Sequence, residues 1–386
     1  MNQDAPTAPM TQRNHLPHIT ILTANAGGGH RAAAHSLAEA LDGRAYVTYL
    51  SLMDDYAPFP INTWSATYGP WVNYTPWLYR LVYRYGSSRD RVLMTERAVY
   101  PLIRPWVEKG MLSVNPDLFI SVHPLHTDVP IWILQQAGRR VPFMTVVTDP
   151  VTPPVAWFCP EVDLCIVATE EARSVALGCG MAPHKVRVIG LPIRPAFQAA
   201  RGQSRTEMRR RLGLAPERPL VLLTGGGAGI GRLRPLALAI TRGLADHPAS
   251  PQLAIIAGRN RELQLLLRAE RWPIPVQVLG FVNNMPEWLA ATDLLISKAG
   301  PATIAEAACM GVPLIITDYV PGQEIGNVEW VQRHNVGLYE PSTQGIARVV
   351  ADLLRPGNPE LARMAERALA TARPDAAREI ADAALG

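Results

Sequence analysis

No run of about 18 apolar residues occurs in this chain, so no segment is read as crossing a bilayer. The opening stretch, Met1 to Pro17, is polar and proline-containing, and it lacks the apolar core of a secretion signal. Cysteine is scarce. The four present, Cys159, Cys165, Cys179 and Cys309, show no C-x-x-C spacing. That argues against a thiolate zinc site and for buried thiols in a reducing compartment. Charge is modest too, at 18% of residues with a net +4. So weak a basic balance does not indicate nucleic acid, but it suits an anionic membrane surface or an anionic substrate. Two familiar phosphate motifs are missing. No Gly-Lys-Ser/Thr follows Gly27-Gly28-Gly29, and Gly225 to Gly231 fits G-x-G-x-x-G in no frame. A P-loop, a nicotinamide and a flavin are therefore disfavoured.

What is present is a globular chain of 386 residues, 48% hydrophobic, long enough for two domains. Residues 1–16 read as a disordered tail. His18 to Thr23 is a strand, Ala24 to Gly29 a glycine loop, His30 to Leu41 a helix and Ala45 to Leu50 a second strand. Leu118–Val122, Phe143–Val147, Val162–Val167 and Val186–Ile189 continue the strand series. Leu191-Pro192-Ile193-Arg194-Pro195 reads as a hinge. A second series opens at Leu220–Leu223 and runs through Leu253–Ala257, Val276–Leu279, Leu294–Ser297 and Leu314–Thr317. Helices over Ala347–Leu354 and Glu360–Thr371 follow. The alternation predicts two α/β halves, residues 17–192 and 193–386, with the last helix free to pack back on the first half.

The most informative stretch is Ser297-Lys298-Ala299-Gly300-Pro301-Ala302-Thr303-Ile304-Ala305-Glu306. A buried strand ends here, the Gly-Pro pair breaks it, and Pro301 suits a first helical turn because its missing N–H would be unpaired there anyway. A helix N-terminus is thus delivered to the carboxyl edge of a parallel sheet, where α/β proteins bind ligands and phosphate is favoured. Lys298 can neutralise phosphate, and Glu306 can accept hydrogen bonds from ribose hydroxyls. On the same edge lies Thr317 to Glu324, where Gln323 and Glu324 are suited to sugar hydroxyls. Arg259 follows the strand ending at Ala257 and can counter a diphosphate. In the first half, His30 opens a helix. A helix N-terminus disfavours imidazolium, so the ring stays neutral and able to act as a base. Asp149 ends a strand in the same half and is a second candidate, either orienting His30 or acting as base itself. His123 and His126 read as polar lining rather than metal ligands, since their spacing matches no zinc pattern.

Residues 56–106 break the rhythm. They hold twelve of the chain's aromatics (9 Trp, 11 Tyr and 6 Phe in all), including Tyr56, Phe59, Trp64, Tyr68, Trp71, Tyr74, Trp77, Tyr79, Tyr83 and Tyr85. Arg80, Arg84, Arg89, Arg91, Arg97 and Arg104 are interleaved. Trp77, Leu81 and Tyr85 share one helical face. One interpretation is a buried subdomain with surface arginines. The other, favoured here, is a membrane-interface patch, with Trp and Tyr at headgroup level and arginine meeting anionic lipid. Trp157 is assigned to the same acceptor and membrane side.

Several of these stretches resemble monogalactosyldiacylglycerol synthases. They are Thr23-Ala24-Asn25-Ala26-Gly27-Gly28-Gly29-His30-Arg31-Ala32, Ile120 to Leu125, Val147-Thr148-Asp149 and Gly190 to Pro195. In the second half they are Gly225-Gly226-Gly227, Gly258-Arg259-Asn260, Lys298-Ala299-Gly300-Pro301 with Thr303 to Ala307, and Pro321 to Glu324 with Gly326-Asn327. The resemblance spans about His18 to Arg348. Wider relatives are the peptidoglycan N-acetylglucosaminyltransferase and the processive diacylglycerol glucosyltransferases. It implies a GT-B arrangement: two Rossmann-like domains facing a cleft, diacylglycerol on the first and UDP-sugar on the second. It also implies inverting, metal-independent transfer of galactose from UDP-galactose to diacylglycerol, with no cofactor. By motif, His30 is the base, Gly28 and Gly29 lie on the acceptor side, Glu306 holds ribose, Gln323 and Glu324 hold the sugar, and Phe281 lies beside uracil. Gly225 to Gly227, Arg259, Lys298 to Pro301, Thr303 and Gly322 complete the donor site. One departure is Asn25, where the plant enzymes carry aspartate, so an ionic role there is absent. The short N-terminus fits a bacterial enzyme on the cytoplasmic face of the cell membrane. Three alternatives stay open: UDP-glucose as donor, a UDP-sugar 2-epimerase on a similar fold, and a non-catalytic nucleotide-sugar or lipid sensor.

Overall fold

The structure, a computed structural model, describes residues 16–24, 28–63, 65, 75–227, 229 and 231–386, with residues 76 and 78–80 described for their backbone alone. Strand and helix alternate to give two parallel six-stranded sheets. The first contains β1 (His18–Leu22), β2 (Tyr46–Leu50), β3 (Leu118–Ser121), β4 (Phe143–Val146), β5 (Leu164–Val167) and β6 (Val186–Val188), in the order β2-β1-β3-β4-β5-β6. The second contains β7 (Leu220–Thr224), β8 (Gln252–Ile256), β9 (Val276–Leu279), β10 (Leu294–Ser297), β11 (Leu314–Ile316) and β12 (Gly337–Tyr339), in the order β12-β11-β10-β7-β8-β9. β4, β7, β8 and β10 are buried along their whole length. Helices cover both faces of each sheet, which is why these strands read as unbroken apolar runs rather than alternating ones.

The strand order reverses between β1 and β3 in the first sheet and between β7 and β10 in the second. In open α/β sheets that reversal leaves a crevice outside the carboxyl ends of the two strands. Each crevice is lined by the loops singled out from sequence: Gly28 to His30 after β1 and His123 after β3, then Gly225 to Gly227 after β7 and Lys298 to Gly300 after β10.

The carboxyl edges of the two sheets face each other. Thr152 Oγ1, from the loop after β4, donates to the Gln323 carbonyl at 3.1 Å. A Cβ on Gly326 would stand 2.6 Å from the Thr152 methyl, so the halves are in van der Waals contact there. Arg333 and Glu171 add an exposed ion pair at 2.7 Å. The terminal helix, Ala376–Leu385, returns to the first half. Its Ile380 and Ala381 are fully buried with Ile19, Ile21 and Leu37, and Asp382 pairs with Arg44 at 2.7 Å.

Three elements depart from the sequence expectation. The first helix, Gly28–Ala40, starts two residues before His30. After the helix Pro76–Tyr85, a 24-residue helix, Arg89–Leu112, runs through Pro101 and Pro105. The strand β12 was not foreseen, since three residues opening on glycine carry almost no periodic signal. Asn25, Gly27, Trp64, Tyr68, Trp71 and Tyr74 lie outside the described residues, as do the side chains of Tyr79 and Arg80.

Candidate functional site

His30 sits in the first turn of its helix, partly exposed at the cleft. Its Nδ1 lies 3.0 Å from the Val122 carbonyl, at the end of β3, and 2.8 Å from Thr148 Oγ1, at the end of β4. A carbonyl can only accept, so Nδ1 carries the proton and donates to Val122. The lone pair is then on Nε2. Burial lowers the ring's pKa from 6.5; the negative charge of Asp149 and the Val122 hydrogen bond work against that. The net direction is downward, so the ring is neutral near pH 7 and Nε2 is a base.

Asp149 was expected to orient this ring or to be the base itself. The structure corrects the first role. Its Oδ2 accepts from the Trp157 indole at 2.8 Å and its Oδ1 from Gln323 Nε2 at 2.8 Å, while the ring is aligned by Val122 and Thr148. The negative charge of Asp149 works against the burial-driven lowering of the His30 pKa. Trp157 is corrected as well: it is completely buried, 6.0 Å from His30 between ring centroids, and so is no membrane residue. Its N–H needs a partner when buried, and Asp149 supplies one.

In the second half the loops after β7 and β8 lie backbone to backbone. Gly258 has a φ of +58°, and a Cβ there would approach the Gly226 and Gly227 carbonyls to 2.6 Å. The close approach puts Gly227, Arg259 and Phe281 in one group, with the Arg259 guanidinium 4.3 Å above the Phe281 ring. Phe281 is half-exposed. Gly225 is buried beside Gly226, at the end of β7.

Gly300 precedes the helix Pro301–Met310 with extended geometry, and Thr303 lies in its first turn. Ala299 N–H is held by the Asp318 carbonyl at 2.9 Å. The first N–H groups of such a helix lack intrahelical partners and favour an anion. Lys298 stands beside this N-terminus. It pairs with Glu324 at 3.3 Å. Glu324 is nearly buried, and its other oxygen accepts from Val320 N–H at 2.8 Å. Here it closes its own loop and holds Lys298. Gly322, with a φ of +88°, lies under the Tyr83 ring, where a Cβ would come within 2.7 Å. Tyr83 also donates to the Thr152 carbonyl at 3.1 Å, so the helix Pro76–Tyr85 clasps both halves. Glu306 lies one turn into its helix, and burial, partly offset by Arg194, raises its pKa to about 7.

Gly28 and Gly29 are exposed, and a Cβ on either meets nothing within 4 Å. Among the described residues, packing does not require glycine there. Among the described residues no group of three or more His, Cys, Asp or Glu is placed to hold a metal ion, His123 and His126 included. On the outer surface Trp77, Leu81 and Tyr85 are 68%, 59% and 48% exposed along one face, with Leu102 and Trp106 exposed on the neighbouring helix. Arg84 is exposed beside them. Sequence reasoning missed Thr148, Val122, Thr152 and Tyr83. Thr148 adjoins Asp149 and was within reach; the Val122 contact is made by backbone and leaves no residue signal.

Comparison with known proteins bears on this arrangement directly. A family model described as monogalactosyldiacylglycerol (MGDG) synthase matches residues 30–193, and the glycosyltransferase family 28 C-terminal domain matches residues 220–380. The probable monogalactosyldiacylglycerol synthase 3, chloroplastic, of Oryza sativa subsp. japonica is 37% identical over 378 residues, covering 95% of this chain and 74% of the rice protein. The chain belongs to the monogalactosyldiacylglycerol synthase family. It is a glycosyltransferase of GT-B fold. The crystal structure of Acinetobacter baumannii MurG matches with a TM-score of 0.60 at 16% identity, over 95% of this chain and 99% of that one. Anabaena HepE in complex with UDP matches with a TM-score of 0.54 at 15% identity, over 95% and 99%. At such identities these two attest the fold alone. One expectation is overturned. Relatives from rice, soybean and Arabidopsis are named chloroplastic plant enzymes, which conflicts with a bacterial enzyme at the cell membrane.

Were Glu306 to hold ribose, its raised pKa would have a consequence. Above about pH 7 the carboxylate accepts two hydroxyl hydrogen bonds, and below it the protonated group accepts fewer. The KM for the donor should rise as pH falls through about 7, and the Glu306→Gln variant should have a flat KM profile. Steady-state kinetics across pH 6–8 checks this, and a pH-dependent KM in the variant would remove Glu306 from the role.

Proposed function

We propose that this protein transfers galactose from UDP-galactose to the free hydroxyl of 1,2-diacylglycerol by a single inverting displacement. The observation that carries the reading is the His30 ring. Its proton is held on Nδ1 by Val122, and its Nε2 lone pair is left for a hydroxyl at the cleft. A lipid hydroxyl is a weak nucleophile and needs such a base within hydrogen-bond reach. The first half then takes the acceptor, over the open floor at Gly28 and Gly29. The second takes the donor: uracil against Phe281, diphosphate at the Gly300–Pro301 helix start with Lys298 and Arg259, and sugar beside Gln323. As carbon–oxygen cleavage proceeds, charge grows on UDP, and these fixed positive groups stabilise it. They do so without a metal ion, so chelation with EDTA should leave the rate unchanged.

Gln323 links donor and base. In this structure it donates to Asp149 across the cleft. Turning to a sugar hydroxyl would release one oxygen of Asp149, beside His30. The exposed Trp77, Leu81 and Tyr85 face supports shallow insertion at a lipid interface, with Arg84 at the headgroups. The family named for galactolipid synthesis favours galactose over glucose as donor and transfer over epimerisation.

Vesicles containing diacylglycerol, incubated separately with radiolabelled UDP-galactose and UDP-glucose, test the reading. Label should enter the lipid phase from galactose, and should fall when Leu81→Glu weakens vesicle binding. Label from glucose alone would change the donor. Label from neither, with UDP-sugar still bound, would point to an epimerase or a sensor.

A further inference from the structure

His123 stands at the end of β3 beside the base, and the reaction as proposed gives it no task. Its ring is edge-on to His30, 4.6 Å between centroids. It is 5% exposed, whereas His126 behind it has no exposure at all. Leu125 N–H donates to His123 Nδ1 at 3.3 Å. A nitrogen that accepts carries no proton. Burial, with the rings of His30 and His126 alongside, pushes the pKa of His123 well below 6.5, so the ring is neutral. Its single proton is therefore on Nε2. His30 has the opposite tautomer, fixed by the Val122 carbonyl. Two touching imidazoles thus offer a lone pair on one Nε2 and an N–H on the other. Among the described residues, no hydrogen bond occupies Nε2 of His123. Unlike both ring nitrogens of His126, that nitrogen is not enclosed by protein, so it is open enough to meet a ligand oxygen as its acceptor.

We propose that His123 is a second acceptor-binding residue, whose Nε2–H donates to an ester carbonyl of the lipid next to the hydroxyl that His30 deprotonates. The inference rests on the acceptor reading given above. In a 1,2-diacylglycerol the carbon next to the free hydroxymethyl bears an ester. A base and a donor side by side complement a hydroxyl and a carbonyl at that spacing. The pair distinguishes an ester lipid from a dialkyl ether, which has the hydroxyl and no carbonyl.

The test compares kcat/KM for 1,2-diacylglycerol and for a 1,2-dialkylglycerol of equal chain length. Measurements use the wild type, His123→Phe and His123→Gln. The wild type should prefer the ester by roughly tenfold, in keeping with one buried hydrogen bond. His123→Phe should bring that ratio close to one by losing ester activity, with the ether rate little changed. His123→Gln, which keeps an N–H donor, should restore part of the preference. Equal rates on both lipids in the wild type would overturn the proposal without any variant. So would an unchanged ratio in a folded His123→Phe that still binds UDP. Transfer to neither lipid by the wild type would instead remove the acceptor reading itself, and this inference with it.

Discussion

The His30→Ala variant is expected to bind UDP-sugar as the wild type does and to lose roughly 10²–10⁴-fold in kcat, the usual contribution of one positioned base. Among the described residues its hydrogen bonds and ring contacts are to Val122, Thr148, His123 and Trp157, all in the first half, so its removal should leave the donor half intact. The pH dependence carries the sign. Lowering pH protonates the base, and burial has moved that protonation below 6.5. The acid limb of kcat should therefore fall below pH 6.5 in the wild type and disappear from the residual rate of the variant. Calorimetric titration with UDP and a pH–rate profile check both halves of the statement. Near-normal turnover would move the base to Asp149.

Lys298→Ala should have the second largest effect, about 10²–10³-fold in kcat, since removing one group that stabilises developing charge typically costs about 2.7–4 kcal/mol of barrier. Lys298 is placed for this by the Gly-Pro break after β10. Two distinct losses follow from the substitution. The leaving diphosphate loses a cation, and Glu324 loses the partner on one of its oxygens. Since Glu324 also holds Val320 N–H, the loop carrying Gln323 should loosen and the donor KM should rise. The double variant Lys298→Ala with Glu324→Gln removes the unpaired charge. It should recover donor KM while kcat stays low. Rapid-quench measurement of the chemical step separates the two, and a recovered kcat would show that Lys298 serves the loop alone.

Much of the architecture was legible because parallel strands covered on both faces leave continuous apolar runs. β7, β8 and β10 announce themselves in that way, and the glycine loops after β1 and β7 mark where ligand would lie. Lys298, Gly300 and Pro301 were legible for a chemical reason, since a Gly-Pro break at a strand end fixes a helix N-terminus. The rest was hidden for equally definite reasons. Trp157 lies among prolines and aromatics and was assigned to the acceptor and membrane side; that its buried indole N–H donates to Asp149 is a tertiary fact. The Gln323–Asp149 contact joins residues 174 positions apart and belongs to neither half alone. Glu324 was expected to meet sugar hydroxyls, and its contacts to Val320 N–H and Lys298 are tertiary facts the sequence does not show. The helix Arg89–Leu112 keeps Pro101 and Pro105 because packing of Tyr100, Ile103 and Val107 against the first sheet outweighs the local preference against proline.

The measurement that bears most directly on the central claim is the anomeric configuration of the sugar in the lipid product, read from the one-bond and vicinal coupling of its anomeric proton. UDP-galactose is α-linked. A single displacement, with His30 removing the hydroxyl proton on one face as UDP departs from the other, yields the β-galactolipid. An α-linked product would mean that the anomeric centre had been retained, and it would contradict the assignment of His30 as the base of a one-step transfer.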